Sequence, residues 1–212
     1  MMTPPRRQLR RGRALFLSGA LLTAASTALA QTPPAMDHSH MSHMDMGLPP
    51  VSIPRGALFT EADVRFMQGM IAHHAQAIYM SRLASGHEAS PHLTKFANKI
   101  DQSQQAEIKL MQEWLRANGQ YTPDTSAWRH MSMPGMLSED QLAQLNAAKG
   151  TEFDKKFLTF MIQHHEGALK MVDDLFATAG AAQDIDVSVF ANDVQTVQTA
   201  EIGTMRQMLN IL

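Results

Sequence analysis

From about residue 60 onward, apolar positions recur at helical spacing, and the same pattern is written twice. Phe66, Met70, Ala77 and Met80 follow one another at 4-, 7- and 3-residue steps, and His73 fills the gap in a 4-3-4-3 seam. Such a seam is one buried stripe of an amphipathic helix. Residues 154–171 repeat residues 63–80 at eight of eighteen positions without a gap: Asp63/Asp154, Phe66/Phe157, Met70/Met161, Ile71/Ile162, His73/His164, His74/His165, Ala77/Ala168 and Met80/Met171. Residues 96–115 match residues 190–209 at nine of twenty positions, so the repeat includes a second helix.

Start and stop signals frame these stripes. Thr60 with Asp63 predicts a capped start for the first helix, which runs to about Ser85-Gly86. Ser90-Pro91 opens a second helix that ends near Asn118-Gly119. Ser138 with Gln141 predicts a short helix ending by Gly150. Thr151 with Asp154 repeats the start signal for a long helix that stops around Gly180, and a last helix covers about 186–211. No segment carries a strand pattern. The expected fold is all-α: a four-helix bundle at 58–212, built from two helical hairpins (about 60–118 and 151–211) joined by a connector at 119–150.

The N-terminal region follows other rules. Five arginines precede an apolar run from Ala14 to Ala30 that closes on Ala28-Leu29-Ala30, which predicts a secretory signal peptide over 1–30. Residues 31–57 read as a disordered leader rich in Met and His. Taking away the signal leaves 13 basic against 20 acidic side chains, a net charge near −7 that speaks against nucleic acid as a partner. The interrupted apolar run leaves no stable membrane span after cleavage. The absence of cysteine excludes disulfides, thiolate sites and covalent haem attachment.

The candidate chemistry is metal binding. His73, His74, His164 and His165 lie on or beside the buried stripe, with Met70 and Met161 one turn earlier. Met80 is two turns from His73, too far for one shared ion without a second helix. The second helices offer Glu107 and Met111, matched by Glu201 and Met205, with Gln104 and Gln198 on the same face. A Met stripe is also ordinary packing, and a buried His bonded to Glu is a common structural pair. A secreted structural or oligomerisation module with buried His and Met that bind no metal is therefore the rival expectation.

Packing does not account for methionine in a leader without a core. Residues 36–46 hold Met36, His38, His40, Met41, His43, Met44 and Met46, and the connector adds His130, Met131, Met133 and Met136. Thioether is a soft ligand that favours Cu(I) or Ag(I) over Zn(II), Mg(II) or Ca(II), and imidazole extends the range to Cu(II). Other chemistries lack their motifs. No Glu is followed three residues later by His, as di-iron bundles need, and His165-Glu166 is not completed to a zinc-protease motif.

The pattern D-x-x-F-x-x-x-M-I-x-H-H-x-x-A-x-x-M, present twice with its Glu-bearing second helix, resembles the bacterial family called domain of unknown function 305 over about residues 58–212. The resemblance implies a ferritin-like four-helix fold, export to the periplasm or beyond, and kinship with a copper-binding member. It also implies copper or silver contacts from His73, His74, His164 and His165 with Met70, Met80, Met161 and Met171. The expected function is a periplasmic or secreted copper-binding protein, not an enzyme, that sequesters, confers resistance to or transfers copper. The expected cargo is Cu(I), with Cu(II) or Ag(I) as further ions. The partners open to it are metal ions, a copper-efflux or copper-transfer protein, and further copies of itself.

Overall fold

The computed structural model describes residues 48–212, so the expected signal peptide and leader ligands Met36, His38, His40, Met41, His43, Met44 and Met46 lie outside the described residues. The described chain is all-α, without a strand: α1 Glu61–Leu83, α2 Pro91–Ala117, α3 Glu139–Ala147, α4 Gly150–Ala177 and α5 Ile185–Leu209. The four long helices form two hairpins, α1–α2 and α4–α5, and short α3 lies in the connector.

Local chemistry sets the ends of these helices. Thr60 and Asp63 form a capping box, as do Ser138 and Gln141 at α3. Ser90 caps α2 with Pro91 in its first turn, and Gly119 (φ +65°) takes the left-handed conformation just past that helix. The start of α4 departs from the Thr151/Asp154 expectation. Its N-cap is Lys149, without a side-chain bond, and the helix begins at Gly150. Asp154 is committed elsewhere, because both its oxygens lie 3.2 Å from the Ser90 amide in the α1–α2 turn.

That bond has a counterpart in the other hairpin. Asp63 accepts from the Ala182 amide in the α4–α5 turn at 2.7 Å, while its other oxygen serves Thr60. The repeated aspartate is thus a strut, and each copy ties the first helix of one hairpin to the turn of the other. Both carboxylates are buried, where a charged acceptor without its donors is costly.

The core divides into two apolar halves. One gathers Phe66, Met70, Met111, Trp114, Val172 and Phe190. The other gathers Met80, Ile100, Phe153, Phe157, Met161 and Met205. The pseudo-twofold relation exchanges them: Met70 and Met111 of the first half correspond to Met161 and Met205 of the second. Residues 48–60 have no helix but lie along the bundle. Leu48, Val51 and Ala57 pack on it, and Gln120 donates to the Ser52 carbonyl at 2.8 Å.

Asp63→Ala and Asp154→Ala each lower the free energy of unfolding by about 1–3 kcal/mol in urea titrations, the cost of stranding buried amides. Asp63→Ala has the larger effect, because it also removes the carboxylate half of the capping box at α1, which accepts from the Thr60 amide and hydroxyl.

Candidate metal centre

Between the two apolar halves lies a layer of buried polar side chains, two from each long helix: His73 and His74 from α1, Gln104 and Glu107 from α2, His164 and His165 from α4, Gln198 and Glu201 from α5. Glu107 alone is partly exposed. The helical repeat brings them to one level. Each His-His pair spans the seam and the neighbouring row of its helix, and Gln and Glu three residues apart face it from the paired helix.

Within each hairpin the second histidine meets the glutamate. His74 Nε2 is 2.6 Å from Glu107 Oε2, and His165 Nε2 is 2.9 Å from Glu201 Oε2. Across the hairpins the first histidines meet, with the His73 and His164 ring centroids 3.8 Å apart at 41°. The connector breaks the symmetry: the Pro134 carbonyl lies 3.1 Å from His73 Nε2, while neither nitrogen of His164 makes a well-formed hydrogen bond and only the His73 backbone acts on it weakly. The Nδ1 atoms of His73, His74 and His165 are also unpartnered, as are Gln104 Oε1 and Gln198 Oε1. Each such buried atom costs about 1–3 kcal/mol unless something satisfies it.

Burial, reinforced by the adjacent His74, pushes the His73 ring down to about 3. Burial and the facing His73 hold His164 well below the ordinary imidazole range. Burial alone would raise the Glu201 carboxyl. The bond from His165, that ring's charge and Lys99 (3.4 Å away) outweigh it and lower the carboxyl. The first histidines are therefore neutral at ordinary pH, the form in which imidazole binds a metal.

A metal fits this layer on the chemistry of its donors. Five unpartnered imidazole nitrogens share it, and thioethers one turn away border it on both sides: Met70 and Met111 on one, Met161 and Met205 on the other. A His bonded through one nitrogen to a carboxylate, as His74 and His165 are, is the usual posture of a metal-binding imidazole. Among the described residues, no three His, Asp or Glu side chains converge as a ready-made cage. A site here is of low coordination number or completed by thioether, which suits a soft monovalent ion.

The remaining predicted residues separate. Met80 packs in the apolar half beyond the layer. Met171, partly buried, packs both on the first apolar half and against the cluster of Ala72, Met131 and Met133 that Met136 also covers, while His130 is exposed. Glu166, which distinguishes the second repeat from the first, points out to Arg206 at 2.7 Å and takes no part in the layer.

Sequence reasoning passed over the fastening of the connector. Gln76 Nε2 donates to the Leu137 carbonyl at 3.1 Å, and its Oε1 accepts from the Leu137 amide at 2.8 Å. Beside it the connector backbone lies directly on α4. A Cβ on Gly135 would stand 2.6 Å from the Gly167 Cα, and one on Gly167 would collide with the Pro134 carbonyl. The only signal in the sequence is the pair of glycines, one of them inside a helix.

The depressed imidazoles make the metal-free protein acid-sensitive in a defined window. In the unfolded chain the two rings take protons near pH 6.5; in the fold, His73 resists until about pH 3 and His164 resists in the same direction. Stability is intact above pH 6.5 and falls as the pH drops below it. Two excluded protons give a slope of about 2.7 kcal/mol per pH unit. Urea unfolding between pH 6.5 and 4.5 measures that slope, and a flat profile would mean that the folded rings do take protons.

Comparison with known proteins agrees with the helical fold. Curated proteins give no match. Among solved structures, CopM in its Cu(I)-bound form is 29% identical, with a TM-score of 0.55 over 70% of this chain and 95% of that one. CopM also matches in Cu(II)-bound and Ag-bound forms, with TM-scores of 0.57 and 0.55. A fragment from Deinococcus radiodurans is 28% identical, with a TM-score of 0.63 over 73% of this chain and 99% of that one. A protein from Streptomyces coelicolor, at 24% identity and a TM-score of 0.61 over 70% of this chain and 92% of its own, shares the fold. The model of the domain of unknown function named DUF305 matches residues 63–209, from the first strut aspartate to the end of α5, and the chain belongs to that family.

Proposed function

We propose that this chain is a copper-binding protein, with Cu(I) as its principal cargo and Ag(I) or Cu(II) as further ions, serving sequestration, resistance or transfer. The observation that carries this reading is the layer of unpartnered imidazole nitrogens bordered by thioethers at the bundle centre. His73 and His164 are the inner ligands of this reading. His74 and His165 stand behind them on their glutamates, and Met70, Met111, Met161 and Met205 supply sulfur. The Met/His-rich stretch at 36–46 captures ions with open, exchangeable ligands. The copper- and silver-bound forms of CopM support the choice of ion.

Export to the periplasm or the exterior belongs to the same reading. It rests on the basic, apolar and A-x-A pattern of residues 1–30, and no helix among the described residues is long and apolar enough to cross a membrane. The cargo is bound and released by ligand exchange, with no turnover of a substrate. An efflux or transfer protein is the fitting recipient.

The second reading, a structural module, draws on the two His-Glu bonds, which satisfy one side of the layer with no metal at all. Stability and affinity separate the two when His164 is replaced by leucine. If the layer exists for metal, His164→Leu removes two unsatisfied atoms, so the metal-free protein is as stable or more so. Cu(I) affinity, measured by competition with a chromophoric chelator, falls at least tenfold, about 1.4 kcal/mol. A structural layer gives the reverse: a destabilised fold and no change in copper binding.

A further inference from the structure

Met171 occupies in α4 the repeat position of Met80 in α1, yet the two have different surroundings. Met80 is fully buried in the second apolar half, whereas Met171 is partly buried and packs both on the first half and against the connector cluster. There Met131 and Met133 are buried against Ala72 of α1, and Met136 and Met171 close over them. Four thioethers, three from the connector and one from α4, thus belong to one cluster built against Ala72 of α1. An open cleft of about 650 Å³, lined in part by His130, Met131 and Met136, leads to it from solvent.

The loop that carries three of these methionines is held on both sides. Gln76 clamps Leu137 with two hydrogen bonds, and Gln163 Nε2 reaches the Gly135 carbonyl at 3.4 Å. Gly135 itself sits directly on Gly167. Such fastening fixes donor positions before a ligand arrives, which lowers the ordering cost of binding. If packing alone were at stake, leucine would serve a fixed loop equally well and with better-defined rotamers.

We propose that Met131, Met133, Met136 and Met171 form a second site, thioether-only and solvent-reachable, for a soft monovalent ion of the Cu(I) or Ag(I) class. It is separate from the buried imidazole layer but deepens the copper-binding reading, on which the identity of the ion rests. Four neutral sulfur donors favour a singly charged soft cation over divalent ions that need anionic oxygen or thiolate. Pro134, between Met133 and Met136 in sequence, puts its carbonyl on His73, so one turn touches both sites. Leu48, the first described residue, packs against the same cluster.

The test uses Ag(I) as the probe and the chain from residue 31 onward. Replacing all four residues by leucine keeps apolar volume and removes sulfur. Native mass spectrometry should show one Ag(I) fewer per chain than the parent, while His164→Leu retains that ion. An unchanged count and affinity in a folded quadruple variant would overturn the proposal. Where that variant does not fold, the unaltered protein decides. The methyl NMR signals of Met131, Met133, Met136 and Met171 should shift on addition of Ag(I), and should do so in His164→Leu as well. If those four signals stay fixed while others move, the connector cluster is packing only. If they move while His164→Leu leaves copper affinity unchanged, the thioether site stands and the buried-layer reading fails.

Discussion

Everything in this bundle is arranged around the burial of four imidazoles in the middle of its core. The two helical hairpins close on each other with α1 against α4, and each presents a His-His pair at that seam. The first histidines meet at a ring distance of 3.8 Å, and the second ones are each met by a glutamate from the paired helix. This layer splits the apolar core in two and leaves imidazole nitrogens without protein partners. A fold selected for stability alone would fill such a plane with leucine. The strut aspartates, the capped helix ends and two full apolar halves provide the stability that lets the layer persist.

The duplication explains the near-symmetry, and the connector explains where it fails. Asp63 and Asp154 perform matching tasks, as do Glu107 and Glu201. Yet His73 faces a carbonyl from the connector and His164 does not. The loop has to cross one face of the α1–α4 seam to join α2 to α4, and only one copy of each repeated residue can lie beneath it. Met171 meets the connector cluster as well as the core for the same reason, while its counterpart Met80 is fully buried in the second apolar half.

Much of this was legible in the chain. Local signals placed the helix ends, because Thr60, Ser90 and Ser138 act on amides within three residues of themselves. Periodicity placed the histidines at the seam. The exception at Thr151 is instructive: Asp154 has the right spacing for a cap, but a tertiary donor at Ser90 holds its carboxylate. Which histidines face each other depends on how the hairpins dock, and no local pattern carries that. The clamp of Gln76 on Leu137 spans sixty-one residues and follows no period, so it emerges only from the folded chain. Met171 was legible as one of a repeated pair, but its association with the connector was not.

The claim at the centre is that the imidazole layer, not only the sulfur-rich exterior, holds the ion. Anomalous diffraction from a crystal of the protein loaded with Cu(I) or Ag(I) locates every bound ion directly. A layer that holds the ion gives an anomalous peak inside the bundle, within bonding distance of an unpartnered nitrogen of His73 or His164. Peaks confined to the connector and the N-terminal stretch, with the histidine layer unaltered, would contradict it.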